Sequence, residues 1–155
     1  MSSSELTERQ ATAWASYQRM RTQLSGKLGR ELQRETGLSE ADYEVLSAII
    51  ESLDGSVRSL ALRCELDWEK SRLSHQLRRM TERGLVVRDE CLEDNRGFIV
   101  RASDKGLAAA ASARRGREDA VRHYVADALS AEQLDLLGSI ADAVLKKIEG
   151  EQSHR

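Results

Sequence analysis

Residues 67–106, DWEKSRLSHQLRRMTERGLVVRDECLEDNRGFIVRASDKG, decide the fold. Leu73, Leu77 and Met80 recur at helical spacing, and Gly84 stands where a left-handed residue ends a helix. Leu85-Val86-Val87 then reads as a short strand, Glu93-Asp94-Asn95-Arg96-Gly97 as a polar tip, and Phe98-Ile99-Val100 as the returning strand. Ser103-Asp104-Lys105-Gly106 opens another helix, with a serine hydroxyl in place to cap it. The pattern is a helix followed by a small β wing.

The helix over Trp68–Arg83 has two faces. On a helical wheel Leu73, Leu77 and Met80 fall together as a core stripe, while Trp68, Ser71, Arg72, His75, Arg78 and Arg79 fall opposite. Between Lys70 and Arg88 the cations Lys70, Arg72, Arg78, Arg79, Arg83 and Arg88 meet a single acid, Glu82. Cations interleaved with Ser, His and Gln, leading directly into a wing, suit double-stranded DNA. A helix in the major groove reads bases mainly through its N-terminal half. Lys70, Ser71, Arg72 and His75 are therefore the base-reading candidates, with Trp68 and Ser74 beside them. Arg78, Arg79 and Arg83 are the phosphate-holding candidates.

Composition narrows the remaining classes. The 155 residues contain no proline and few aromatics, which favours a mostly helical chain. A formal charge of −2 argues against a general polyanion binder, so affinity for nucleic acid must come from the local distribution of charge. Cys64 and Cys91 form no Cys-x-x-Cys pair and read as reduced thiols. His75, His123 and His154 are far apart in sequence, so neither a metal site nor a cofactor is expected. No nucleophile–base pair, carboxylate pair or Gly-rich phosphate loop is legible; no catalytic residue is assigned, and the chain reads as a non-enzyme. With no long apolar run and no basic, apolar leader, the expectation is a cytoplasmic protein without membrane contact.

Outward from the wing, Leu6, Trp14, Tyr17, Met20, Leu24, Leu28 and Leu32 predict an amphipathic helix to Thr36, stopped by Gly37. Ser39 caps a second helix whose inward side is Val45, Leu46, Ile49, Ile50 and Leu53; a short helix from Val57 to about Cys64 turns Leu60 and Ala61 inward. After the wing, a helix from Lys105 to about Ala128 precedes a Ser130-x-x-Gln133 capping box. The final helix carries Leu134, Leu137, Ile140, Ala141, Val144 and Ile148 on one side. The fold class is mostly α with a two- or three-stranded wing: one domain over 1–155, with a winged helix-turn-helix at 39–106 and dimerisation helices at 5–37 and 107–150. A chain of this size has little to cover both end stripes, which favours a bundle between two copies over packing within one chain.

Three segments carry a resemblance: Arg78-Arg79-Met80-x-x-x-Gly84-Leu85-Val86, Asp94-x-Arg96, and Val100-x-x-Ser103-x-x-Gly106. In this order and spacing the chain resembles, over nearly its whole length, the MarR (multiple-antibiotic-resistance regulator) family of bacterial winged-helix transcription factors. The resemblance implies a homodimer, most often a repressor, with its recognition helices in successive major grooves of a pseudo-palindromic operator. The half-sites would be centred about ten base pairs apart. It also implies that Arg96 enters the minor groove with Asp94 orienting its guanidinium, where a narrow groove concentrates negative potential. Ser103 stands where members commonly have Thr, and either hydroxyl caps the next helix. Small anionic or phenolic effectors bind in the family between the dimerisation helices and the winged part; Trp14, Tyr17, Arg21, Tyr43 and Trp68 are the candidates for such a site, its ligand unidentified. Two alternatives stand beside this reading. One is a redox-responsive regulator using Cys64 and Cys91, whose acidic and apolar neighbours argue for inert thiols. The other is a winged-helix protein-interaction module anchored by Trp68.

Overall fold

The computed structural model describes residues 5–90 and 97–153. The chain forms two compact units, Met1–Arg117 and Glu118–Arg155. The elements among the described residues are α1 (Glu8–Thr36), α2 (Glu40–Glu51), β1 (Ser56–Arg58), α3 (Ser59–Leu66), α4 (Lys70–Glu82), β2 (Val86–Glu90), β3 (Phe98–Ala102), α5 (Asp104–Tyr124) and α6 (Ala131–Gln152). A 3₁₀ turn at Ala126–Ala128 follows α5, which therefore ends one turn earlier than its alanine-rich sequence suggests. The architecture is mostly α with a small antiparallel sheet, as the sequence pattern implies.

Helix starts are set by local chemistry. Thr7 and Gln10, Ser39 and Asp42, and Ser130 and Gln133 each form a reciprocal capping box, satisfying amides that the first turn leaves without partners. Two helix ends place core side chains. After α3, Asp67 takes a left-handed conformation (φ 54°), its N–H donates to the Cys64 carbonyl, and the Trp68 N–H donates to the Arg63 carbonyl. After α4, Gly84 (φ 73°) and Leu85 repeat the arrangement on the Thr81 and Met80 carbonyls. In this closure the residue after the left-handed one folds back against the helix. Both Trp68 and Leu85 are accordingly buried.

The core joins Val45, Leu46 and Ile49 of α2, Leu62 of α3, Leu73, Leu77 and Met80 of α4, Val86, Val100, and Ala110 and Ala113 of α5. The inward face is narrower than its periodicity suggests: Ile50, Leu53 and Leu60 are exposed, and Leu62, not Leu60 or Ala61, is the buried residue of α3. Val57 belongs to a strand, not to the start of a helix, because Ser56–Arg58 pairs with Arg101–Ile99. A three-residue strand has no periodicity of its own to announce it; its partner lies some forty residues away.

The sheet order is β1-β3-β2, with Val86 opposite Ala102, Arg88 opposite Val100 and Glu90 opposite Phe98. Val86 and Val100 are buried on one face, while Asp89 and Arg101 pair at 3.2 Å on the other. The wing is sewn to the end of α4. Ser103 donates its hydroxyl to the Gly84 carbonyl (2.5 Å) and accepts from the Gly106 N–H (3.0 Å), and the Ser103 N–H donates to the Leu85 carbonyl. Lys105 Nζ donates to the Arg83 carbonyl (3.0 Å). Gly106 sits so close that a Cβ there would lie 2.1 Å from the Leu85 carbonyl oxygen. The Gly84-Leu85 and Ser103-x-x-Gly106 segments are thus two halves of one joint.

Candidate nucleic-acid interface

Four residues of α4 are buried: Leu73, Gln76, Leu77 and Met80, an i, i+3, i+4, i+7 stripe. Lys70, Ser71, Arg72, Ser74, His75, Arg78 and Arg79 are exposed. Among the described residues, Lys70, Arg72, Arg78 and Arg79 enter no ion pair. Arg78 Nη2 lies 3.3 Å from His75 Nδ1. The helix therefore presents a row of cations and hydrogen-bonding groups, none of them neutralised by a described carboxylate, on a base that the core holds rigid.

Two expected surface groups have a different role. Asp42, 1% exposed, accepts from Gln76 Nε2 (2.6 Å), Arg83 Nη1 (2.7 Å) and the Ser39 N–H (2.9 Å). Arg83 also donates to the Gly37 carbonyl (3.1 Å). Gln76 thus faces inward and not toward bases, and Arg83 directs Nη1 to Asp42 and Nη2 to the Gly37 carbonyl. Burial by itself would raise the Asp42 carboxyl; the Ser39 backbone amide, the Arg83 guanidinium and the Ser39 hydroxyl outweigh it and hold it below its ordinary range. This network ties the first turn of α2 to the middle and the C-terminal end of α4 and so helps fix how α4 is presented. Sequence signals for it existed: Ser39-x-x-Asp42 is a capping spacing, and Gln76 completes the apolar stripe of α4.

Trp68 does not share the outward face that its spacing suggests. It precedes α4, whose N-cap is Glu69, and at 8% exposure it belongs to the core and not to the outward face. The Arg72 guanidinium carbon lies 3.9 Å from the centre of its ring. On the sheet, Arg88 stacks likewise over Phe98 at 3.7 Å. Asp94, Arg96 and Cys91 lie outside the described residues. Cys64 is exposed on α3.

The effector candidates are not gathered by one chain. Trp14 and Tyr17 are exposed on α1 with ring centroids 5.3 Å apart, and Arg21 is exposed one turn on. Tyr43 packs against the core beneath Arg117, which also pairs with Glu40. Glu40 meets α1 at Gly29, about 18–22 Å along the helix from Tyr17 and Trp14 at 1.5 Å per residue. Trp68 is enclosed in the core cluster. Met20 on α1, and Leu134, Leu137, Ile140, Val144 and Ile148 on α6, are exposed as well. No helix among the described residues is long and apolar enough to cross a membrane.

No family model matches the chain, and no curated protein sequence matches it. Solved structures do. The chain is similar to Sco3205, a MarR family transcriptional regulator from Streptomyces coelicolor in complex with DNA, at 34% identity and a TM-score of 0.85, covering 92% of this chain and 90% of that one. It is similar to AbsC, a MarR family transcriptional regulator from the same organism, at 31% identity and a TM-score of 0.84, covering 94% and 98%. A mutant MarR from E. coli complexed with operator DNA shares the fold at 21% identity and a TM-score of 0.68, covering 82% and 91%.

Proposed function

The chain belongs to the MarR family of transcriptional regulators, and from that premise we propose that it binds a pseudo-palindromic operator in double-stranded DNA as a homodimer and represses transcription. The observation that carries this reading is the face of α4, where Lys70, Arg72, Arg78 and Arg79 stand exposed without described carboxylate partners beside Ser71, Ser74 and His75. Such a face binds phosphates through its cations and distinguishes bases through its directional donors. The winged part over 39–106 supplies it, with α4 in the major groove and the Asp94-x-Arg96 tip in the minor groove. The DNA complex of Sco3205, at 34% identity, supports the same use of the fold.

The segments 5–37 and 107–150 supply the dimer. Trp14, Tyr17 and Met20 on α1 and the α6 stripe leave large apolar side chains open to water, more than a monomer ordinarily exposes. A second copy covers them, so Trp14 and Tyr17 serve the subunit contact in this reading.

Selection of bound duplexes from a random pool at near-physiological salt, with the mass of the recovered complex measured alongside, tests the proposal. An inverted repeat held by two chains is expected, with half-sites about ten base pairs apart. Weak, salt-sensitive and sequence-blind binding would reject it. Placing the recovered operator across a promoter in a purified transcription reaction is expected to reduce transcript as protein is added.

A further inference from the structure

We infer that Trp68 is a positioning residue for base recognition: its buried indole holds the Arg72 guanidinium where it reads one guanine in each operator half-site. The left-handed Asp67 and the Trp68 N–H bond to the Arg63 carbonyl (3.1 Å) fix the backbone at Trp68, and the core encloses the indole to 8% exposure. Arg72 is the third residue of α4. Helical side chains lean toward the N-terminus, which carries the Arg72 stem back over the residue four positions earlier. Its guanidinium carbon settles 3.9 Å from the ring centre.

In the proposed arrangement the indole takes up a face of the guanidinium, as a carbon 3.9 Å from the ring centre allows, and leaves the edge to the base. The edge carries the paired N–H donors that match guanine O6 and N7, and no described carboxylate engages them. Held by a rigid ring, Arg72 gives up little further freedom on meeting a base, whereas an unsupported arginine must be ordered at that moment. Among the described residues no other cation of α4 rests on an aromatic ring: Arg88, over Phe98, lies on the sheet, Arg117, over Tyr43, lies on α5, and Arg78 touches only the edge of His75. Arg72 also sits in the N-terminal half of α4, the part of a recognition helix that meets base edges.

The inference rests on the DNA-binding reading above, and one titration separates them. The full chain and its variants Arg72→Ala, Arg72→Lys, Trp68→Phe, Trp68→Leu and Trp68→Leu/Arg72→Ala are titrated with the selected operator and with single base-pair substitutions of it, after circular dichroism has verified the fold. Wild type is expected to discriminate about 5- to 150-fold at one G·C pair per half-site, and Arg72→Ala to lose that preference. Arg72→Lys does not restore it, because an ammonium lacks the paired donors. Trp68→Leu is expected to lose about 2- to 5-fold of discrimination at the same pair, with Trp68→Phe in between and the double variant no worse than Arg72→Ala. A merely structural role for Trp68 would instead lower affinity for every duplex alike. Should Trp68→Leu not fold, Trp68→Phe carries the comparison, since it keeps a ring in the core. Retention of discrimination at every pair by Arg72→Ala, or unchanged discrimination in the folded Trp68 variants, overturns the inference while leaving the DNA-binding reading in place. Sequence-blind binding by wild type overturns both.

Discussion

Replacing Asp42 with alanine is expected to destabilise the chain by about 3 kcal/mol, a figure that follows from the three donors its carboxylate satisfies. The Gln76 amide, inside the core at 9% exposure, loses its 2.6 Å partner, and an orphaned buried donor costs about 1–3 kcal/mol. The Ser39 N–H loses the return half of a capping box but remains exposed and can hydrate, so its share is about 0.5–1 kcal/mol. The Arg83 side chain is 42% exposed, and water screens the pair it forms, limiting that contribution to about 0–1 kcal/mol. Urea unfolding followed by far-UV circular dichroism, at one fixed chain concentration so that any subunit association is held constant, measures the difference. The carboxyl is held below its ordinary range in the folded chain. Its contribution is therefore complete above the ordinary value of about 4 and is lost as pH falls through the lower folded value. The gap between wild type and Asp42→Ala should be constant around neutral pH and close on acidification below about pH 4. A loss smaller than about 0.5 kcal/mol, which is the range of ordinary surface changes, or a gap that widens in acid, would refute the network's role.

Gly106→Ala drives a methyl group into the Leu85 carbonyl at 2.1 Å, so the wing and α5 must separate; thermal unfolding should report a loss of about 1–3 kcal/mol or more. Arg79→Ala and Arg83→Ala should behave oppositely. The first is expected to weaken binding to all duplexes and flatten the dependence on log salt by about one unit, the second to lower stability with little change in that slope; equal slopes for the two would contradict the division. Arg96→Ala is expected to weaken operator binding without moving the thermal midpoint, and unchanged affinity would remove the wing tip from the interface.

Much of this protein is legible where the signal is local. Gly37 and Gly84 end helices because a left-handed residue is needed there, Ser39 and Ser130 begin them because a hydroxyl satisfies amides three residues on, and Leu73, Leu77 and Met80 bury themselves by spacing alone. The exposed cations at Arg72, Arg78 and Arg79 follow from the same wheel. Each of these signals acts within a turn or two of chain.

What tertiary structure decided depends on partners far away in sequence. Arg83 looks like one more surface cation until α2 brings Asp42, forty-one residues earlier, to 2.7 Å from it. Gln76 lies on the buried stripe of α4 by spacing, but only the fold brings Asp42 to 2.6 Å as the partner its amide needs there. Val57 becomes a strand only because Val100 is there to pair with it, and Leu53 and Leu60, apolar by composition, are left outside the core that the packed elements form. Trp68 shares the helical period of the outward face, yet the turn at Asp67 folds it under the helix, where its ring supports Arg72. Periodicity and capping fix where helices begin and which stripe is apolar; only the packing of one element on another determines which polar group is consumed inside and which is left to meet a ligand.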